Sequence, residues 1–274
     1  MPRLTTAQKR DAFFALHETG CFVLPNPWDA GSARLFEHLG FRAIATTSTG
    51  FAWTMARPDY KTELNDLLGH LKALNDAVDI PVNADFEWGF ASSLDGLKAN
   101  ITRAIETGIA ALSIEDRNAE KPGELYPVDV AVERLRAARQ AIDESGQRVM
   151  LVGRTEELLL RSTSVEEAIS RLVRYAEAGA DCLYAPGVSA PGDIEAMVKA
   201  VAPKPLNVLA IGEDVDVALY EKLGVRRISV GGSLALVGWG AVFTAAEKLK
   251  NNDFSGMAGT VSGGNLNAVF GSRS

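Results

Sequence analysis

Four times along this chain a glycine closes one segment and a short apolar run follows, ending in a polar, glycine or proline residue. Gly40 stands before residues 41–48, Gly108 before 109–115, Gly179 before 180–186 and Gly224 before 225–231. A glycine stopping a helix, then a run of strand length, is one beat of a strand–helix repeat. The remaining apolar runs keep the same beat, so strands are expected near 22–25, 43–47, 81–85, 111–115, 149–153, 182–185, 206–209 and 227–231. A helical pattern follows nearly every one. Eight such units in 274 residues point to an α/β chain folded as a (β/α)8 TIM barrel, which typically uses about 250 residues.

The intervening helices have their own signals. Residues 6–19 carry the apolar stripe Ala12, Phe13 and Leu16, and residues 30–39 carry Ala33, Leu35, Phe36 and Leu39. Ser164-Val165-Glu166-Glu167 is a capping-box pattern ahead of Ala168, Ile169 and Leu172. Asp129 is expected to cap the helix carrying Val132, Leu135 and Ala138, and Asp214 to start a short helix with Leu219 and Leu223. Residues 90–107 are bounded by Ser92, Ser93 and Asp95 at one end and by Gly108 at the other. No linker divides the chain. The expectation is one barrel domain over 1–250, then a Gly/Asn/Ser-rich stretch, 251–274, that is either a flexible tail or an arm docking on a neighbouring subunit.

Charge and composition remove several function classes. With 28 basic against 35 acidic residues, a net charge of −7 argues against nucleic acid or an anionic membrane as the main partner. No run is long enough to span a bilayer, and the first ten residues lack the apolar core of a signal peptide. Cys21 and Cys182 make no disulfide framework, so a cytoplasmic location is expected. His17, His38 and His70 all fall in helical stretches away from strand ends, which argues against Ser-His-Asp hydrolysis and His-rich zinc sites.

A barrel of this kind places its chemistry at the C-terminal ends of the strands. The third strand runs into Asp85-Phe86-Glu87, whose carboxylates would share one side of an extended segment, with Gly89 letting the chain turn away. The pair is either a solvated strand end or one edge of a site for a hard cation such as Mg²⁺. Glu115 ends the fourth strand, Arg154-Thr155-Glu156 the fifth, and Thr47-Ser48-Thr49-Gly50 the second. This set suits Mg²⁺ (or Mn²⁺) held mostly through water, with a small anionic carboxylate substrate completing the shell. The Thr47–Gly50 turn offers N–H groups to a carboxylate, and Arg154 either grips a second anionic group or pairs structurally with Glu156 or Glu115. Asn207, inside the seventh strand, is a satisfied core amide or a substrate ligand. Gly231-Gly232 is a tight turn or a phosphate-holding helix start.

These motifs, in this order, resemble the isocitrate lyase/phosphoenolpyruvate mutase superfamily, in particular its phosphonomutase-like branch. The resemblance spans roughly 10–250. It rests on Leu24-Pro25-Asn26-Pro27-Trp28-Asp29-Ala30, Thr47-Ser48-Thr49-Gly50 with Pro58-Asp59, and Pro81-Val82-Asn83-Ala84-Asp85-Phe86-Glu87-Trp88-Gly89. Ser113-Ile114-Glu115-Asp116, Gly153-Arg154-Thr155-Glu156 and Pro205-Leu206-Asn207-Val208 complete it. It implies a barrel whose last helix is exchanged between subunits of a homodimer or homotetramer. It implies Mg²⁺ near Asp85, Glu87 and Glu115 with Asp59 alongside, a 2-oxo carboxylate at Ser48–Gly50, and Arg154 on the rest of the substrate. The shared chemistry is a metal-stabilised enolate formed as a carbon–carbon or carbon–phosphorus bond breaks or forms.

Two departures bear on the reaction. The superfamily's lyases carry a Lys-Lys/Arg-Cys-Gly-His motif in the loop after strand four, whereas residues 117–127 here have neither Cys nor His. Glu124, Tyr126 or Glu156 would have to supply the missing acid. Glu87 also stands where the metal site usually has a second Asp. The leading expectation is a Mg²⁺-dependent lyase acting on a carbon–carbon bond next to a 2-oxo or hydroxy carboxylate. The alternatives are a phosphonopyruvate-type mutase or hydrolase, for which Asn118 is the one hint, and a 2-oxo-acid-binding protein without catalysis.

Overall fold

Eight parallel strands follow the expected positions to within a residue or two: β1 (Phe22–Leu24), β2 (Ile44–Ala45), β3 (Val82–Asp85), β4 (Ala111–Glu115), β5 (Met150–Arg154), β6 (Cys182–Tyr184), β7 (Leu206–Leu209) and β8 (Arg227–Ser229). The computed structural model describes residues 3–160, 164–212 and 215–271. The sheet order is β1-β8-β7-β6-β5-β4-β3-β2, that of a (β/α)8 barrel. The remaining seam, β1 to β2, is not a full ladder because Pro25 has no N–H to give. The Ala45 N–H reaches the Pro25 carbonyl at 3.1 Å. Asn26 does the rest: its Nδ2 donates to the Thr46 carbonyl at 3.0 Å, and its Oδ1 accepts from the Val230 and Gly231 N–H groups at 3.0 and 2.9 Å. One buried amide thus ties the ends of β1, β2 and β8 together.

The helices in chain order are α1 (Thr6–Leu16), α2 (Ala30–His38), α3 (Ser48–Thr54), α4 (Leu64–Ala77), α5 (Leu94–Glu106), α6 (Val128–Glu144), α7 (Glu157–Leu160), α8 (Val165–Glu177), α9 (Pro191–Val201), α10 (Val217–Lys222), α11 (Ser233–Lys250) and α12 (Gly263–Gly271). Outward-facing Ala84, Leu112, Ile114, Leu151, Leu183 and Val208 pack against the helical layer in one continuous core. Phe13 of α1 plugs the N-terminal end of the barrel against Phe22, Leu24, Met150 and Cys182. Ser164 caps α8 as expected, accepting from the Glu167 N–H. Two other cap expectations need correction. Pro127, not Asp129, is the N-cap of α6, and Asp129 pairs instead with Arg174 at 2.6 Å. Asp216 caps α10, while Asp214 lies outside the described residues.

The last segment is not plain coil. A 3₁₀ turn (Phe254–Met257) folds back along α11, and α12 packs on α2, with Arg34 donating to the Val269 carbonyl at 3.4 Å. The helix after β8 departs from the barrel pattern. Ala235 is its one buried residue, and Leu236, Val237, Trp239, Val242 and Phe243 are exposed. Among the described residues no helix is long and apolar enough to cross a membrane.

The Asn26 stitch is testable. Asn26→Ala strands two N–H groups and one carbonyl and is expected to lower unfolding free energy by about 2–4 kcal/mol in a denaturant titration. A loss within error of zero would show that the β1–β2 seam does not depend on it.

Candidate active site

Arg154 ends β5 and sits half-buried among three carboxylates. Its Nε donates to Glu156 Oε1 at 2.6 Å and lies 3.3 Å from Glu115 Oε2, and its Nη1 is 3.3 Å from Asp85 Oδ1. Strand register explains the meeting: Glu115 and Arg154 are direct partners on β4 and β5, and Asp85 faces Ser113 one pleat away. Burial alone disfavours the Arg154 charge, but Glu156, Glu115 and Asp85 together outweigh it and hold the guanidinium firmly protonated. Of the two readings of Arg154 from sequence, the structure shows the pairing, with Glu156 and Glu115. Arg154 also lines the cleft at the barrel mouth.

Asp85 is fixed from both sides, since its Oδ2 accepts the Ser48 N–H at 3.0 Å and its own N–H donates to Thr46 Oγ1 at 2.8 Å. Thr49 Oγ1 donates to Asp59 Oδ2 at 2.7 Å, which brings Asp59 to the same rim. Glu87 arrives by a different route from the one expected. The strand ends at Asp85, and Glu87 takes a left-handed backbone, φ +47°, so the same-side rule for extended residues does not place it. A non-glycine residue in that region carries strain that the surroundings must hold. Here the Glu115 N–H donates to the Glu87 carbonyl at 3.0 Å, and Arg134 donates to the Trp88 carbonyl from behind. Gly89, φ +84°, turns the chain away as expected; a Cβ there would stand 2.2 Å from Leu97 Cδ1.

The excess of negative charge is visible in the protonation behaviour. Burial, then the charges of Asp85 and Asp59, push Glu87 up to about 8. Burial also lifts Glu115 well above the carboxylate range, with Arg154 pulling the other way, and burial raises Asp59. Glu87 Oε1 and Glu115 Oε1 are buried with no hydrogen-bond partner among the described residues. Two orphaned carboxylate oxygens beside an acidic cluster with one arginine at its centre fit a divalent cation, which would satisfy both and relieve the repulsion. Among the described residues no group of three or more Asp, Glu, His or Cys side chains is placed to hold a metal ion by itself.

Other residues singled out from sequence fall as follows. Thr47 is the N-cap of α3 and accepts the Gly50 N–H at 3.2 Å, so the turn is the first turn of a helix and two of its N–H groups already have partners, Asp85 and Thr47. Gly50 is required by packing, because a Cβ there would stand 2.7 Å from Thr47 Cγ2. Asn207 lines the cleft with both ends of its amide engaged: Nδ2 donates to Ser229 Oγ and Oδ1 accepts from Arg227 Nε, each at 2.9 Å. Glu124 does not join the cluster; it is exposed and faces Lys121 at 4.0 Å. Tyr126 packs beneath Arg134, and its buried hydroxyl has no hydrogen-bond partner among the described residues. Its backbone is pinned instead, its N–H donating to the Asp116 carbonyl at 2.7 Å.

Sequence reasoning passed over two groups. Tyr60, next to Asp59, has Arg117 stacked 3.8 Å over its ring, which docks the start of the 117–127 loop beside the cluster. Asp116 is the buried brace behind the site. Its carboxylate accepts from Thr155 Oγ1, Tyr175 OH and the Glu156 N–H at 2.7, 2.6 and 2.9 Å and pairs with Arg171 at 3.1 Å. The signal for both was adjacency to a predicted ligand.

A sequence profile of the phosphoenolpyruvate phosphomutase family matches residues 13–250. The chain belongs to that family. Among solved structures, a candidate lyase/mutase of Burkholderia cenocepacia J2315 is 37% identical, with a TM-score of 0.93 and 97% of each chain covered. A 2,3-dimethylmalate lyase of the phosphoenolpyruvate mutase/isocitrate lyase superfamily is 26% identical, with a TM-score of 0.85 over 98% of this chain and 96% of that one. An oxaloacetate decarboxylase of Pseudomonas putida (strain GB-1) is 29% identical over 241 residues, 84% of this chain and 81% of the relative. The family thus places carbon–carbon lyases among this chain's relatives, together with the phosphomutase activity of its own name.

The raised Glu87 carries a pH signature. Its folded value, about 8, lies above the ordinary 4.5, so over that window the folded state holds a proton the unfolded chain has released. The stability this contributes is complete below about pH 4.5 and lost as pH rises toward 8. Without divalent ions the melting temperature should fall between about pH 5 and 8, less steeply in Glu87→Gln, and Mg²⁺ added near pH 7 should release protons in calorimetry run in two buffers. Equal slopes for both proteins would refute the assignment.

Proposed function

We propose that this chain is a divalent-metal-dependent lyase that breaks or forms a carbon–carbon bond next to a 2-oxo or hydroxy carboxylate. The observation that carries the reading is the Asp85–Glu87–Glu115–Arg154 cluster, with two orphaned oxygens on its buried carboxylates Glu87 and Glu115, in a family whose relatives include carbon–carbon lyases. Asp85, Glu87 and Glu115, with Asp59 alongside, would hold hydrated Mg²⁺ or Mn²⁺, which when bound supplies a Lewis acid for the negative oxygen of an enolate. Arg154, already oriented by Glu156, sets a fixed positive charge against the anionic substrate. Ser48 and Thr46 hold Asp85 in one orientation, so little reorganisation is needed at the moment of reaction. The turn at Thr47, Ser48, Thr49 and Gly50 flanks the carboxylate end of the substrate, and the 117–127 loop, docked through Arg117 on Tyr60, is the element that excludes water.

Carbon–phosphorus chemistry is the second reading, favoured by the family's name. Its one sequence hint, Asn118, is buried, with its Oδ1 accepting the Glu120 N–H at 3.0 Å inside its own loop. That engagement favours the lyase. Glu124 and Tyr126 are not retained as acids, given their positions. Two free thiols suit a cytoplasmic enzyme. Residues 1–250 form the catalytic unit in this reading. The apolar face of α11 is where a second copy docks, the segment from 251 onward serving as part of that arm.

Two outcomes follow. Asp85→Ala should abolish Mg²⁺-dependent thermal stabilisation and lower turnover of a 2-oxo or hydroxy dicarboxylate by about 100-fold or more; turnover surviving both Asp85→Ala and EDTA would sink the metal-dependent reading. Val237→Glu with Phe243→Glu, at positions 68% and 66% exposed in the single chain, should convert an oligomer to monomer in sedimentation velocity. A wild type that sediments as a monomer would refute the assembly.

A further inference from the structure

The interior of a (β/α)8 barrel is ordinarily filled by layers of branched apolar side chains. This one carries an arginine instead. Arg227 opens β8, is 2% exposed and crosses the barrel, its Nε donating to Asn207 Oδ1 on β7 at 2.9 Å and its Nη1 to Asn83 Oδ1 on β3 at 3.3 Å. Among the described residues no carboxylate lies within ion-pair distance of it. The titratable groups beneath are His17, kept neutral by burial and by Arg227 itself, and Cys182, which burial pushes up. A buried guanidinium held only by neutral amides is expensive unless an anion completes its surroundings.

The cleft supplies a place for that anion. It is lined at its acidic end by Asp85 and Arg154 and elsewhere by Arg227, Asn207 and Ser229. Asn207 is the hinge of the arrangement, since its Oδ1 orients the guanidinium while its Nδ2 engages Ser229. We propose that Arg227, with Ser229 beside it, is a second anion subsite that takes the far carboxylate of a dicarboxylate whose 2-oxo end lies at Arg154 and Asp85. The assignment rests on the lyase reading and narrows its substrate class to four- or five-carbon 2-oxo dicarboxylic acids. It also gives the polar residue Asn207 its role as a positioning residue for Arg227.

The test compares matched 2-oxo acids with and without a terminal carboxylate: oxaloacetate against 2-oxobutanoate, and 2-oxoglutarate against 2-oxopentanoate. Each is bound to the full chain with Mg²⁺ under calorimetry, using initial heats where turnover occurs. Wild type should prefer at least one dicarboxylate of the two pairs. In Arg227→Gln that preference ratio should fall by about 10–100-fold, and Arg227→Lys should restore part of it. Asn207→Asp, which gives Arg227 an internal counter-ion and serves if Arg227→Gln does not fold, should lower the same ratio. A wild type that binds each pair equally, or variants that fold and keep the wild-type ratio, would overturn the subsite. A wild type with no Mg²⁺-dependent binding of any of the four acids would instead overturn the lyase reading on which the subsite rests.

Discussion

The contact on which the site depends is the guanidinium of Arg154 among Glu156, Glu115 and Asp85. These groups come from β3, β4, β5 and the residues just past β5, and without a positive centre their carboxylates could not share one buried space as anions. One arginine does not neutralise them all. The residue of uncompensated charge appears as the raised protonation of Glu87, Glu115 and Asp59, and as two carboxylate oxygens with no partner. In the proposed lyase a cation and an anionic substrate would together complete this charge, and their binding should therefore be coupled.

Behind that cluster the barrel is braced by charge as well as by packing. Asp116, one residue beyond Glu115, gathers Thr155, Tyr175, Arg171 and the backbone of Glu156, so the ends of β4 and β5 cannot move independently. On the far side, Asn26 ties β1, β2 and β8 where Pro25 interrupts the ladder. Both are fully engaged side chains in positions where an apolar residue would leave main-chain groups unpaired.

Much of the fold was legible because a barrel repeats. Gly40, Gly108, Gly179 and Gly224 all have positive φ and each precedes a strand, so the punctuation read from sequence is the punctuation of the structure. The strand-end residues Asp85, Glu115 and Arg154 were legible for the same reason, since period-two alternation and parallel register bring them together. Glu87 reached the site through a left-handed turn that no short pattern announces. Glu124 and Tyr126 were chosen for chemical type within a loop whose path is set by contacts distant in sequence, Arg117 on Tyr60 and Arg134 on Tyr126. Arg227 was hidden for a related reason: its partners Asn83 and Asn207 lie on other strands of the barrel, distant in sequence.

The most direct measurement is ¹³C NMR of a panel of 2-oxo and hydroxy dicarboxylates incubated with the full chain, with Mg²⁺ and with EDTA, alongside ³¹P NMR with phosphonopyruvate. Carbon–carbon cleavage that appears with Mg²⁺ and disappears with EDTA is the expected result. Cleavage unaffected by EDTA, or turnover confined to phosphonopyruvate, would contradict a metal-dependent carbon–carbon lyase built on Asp85, Glu115 and Arg154.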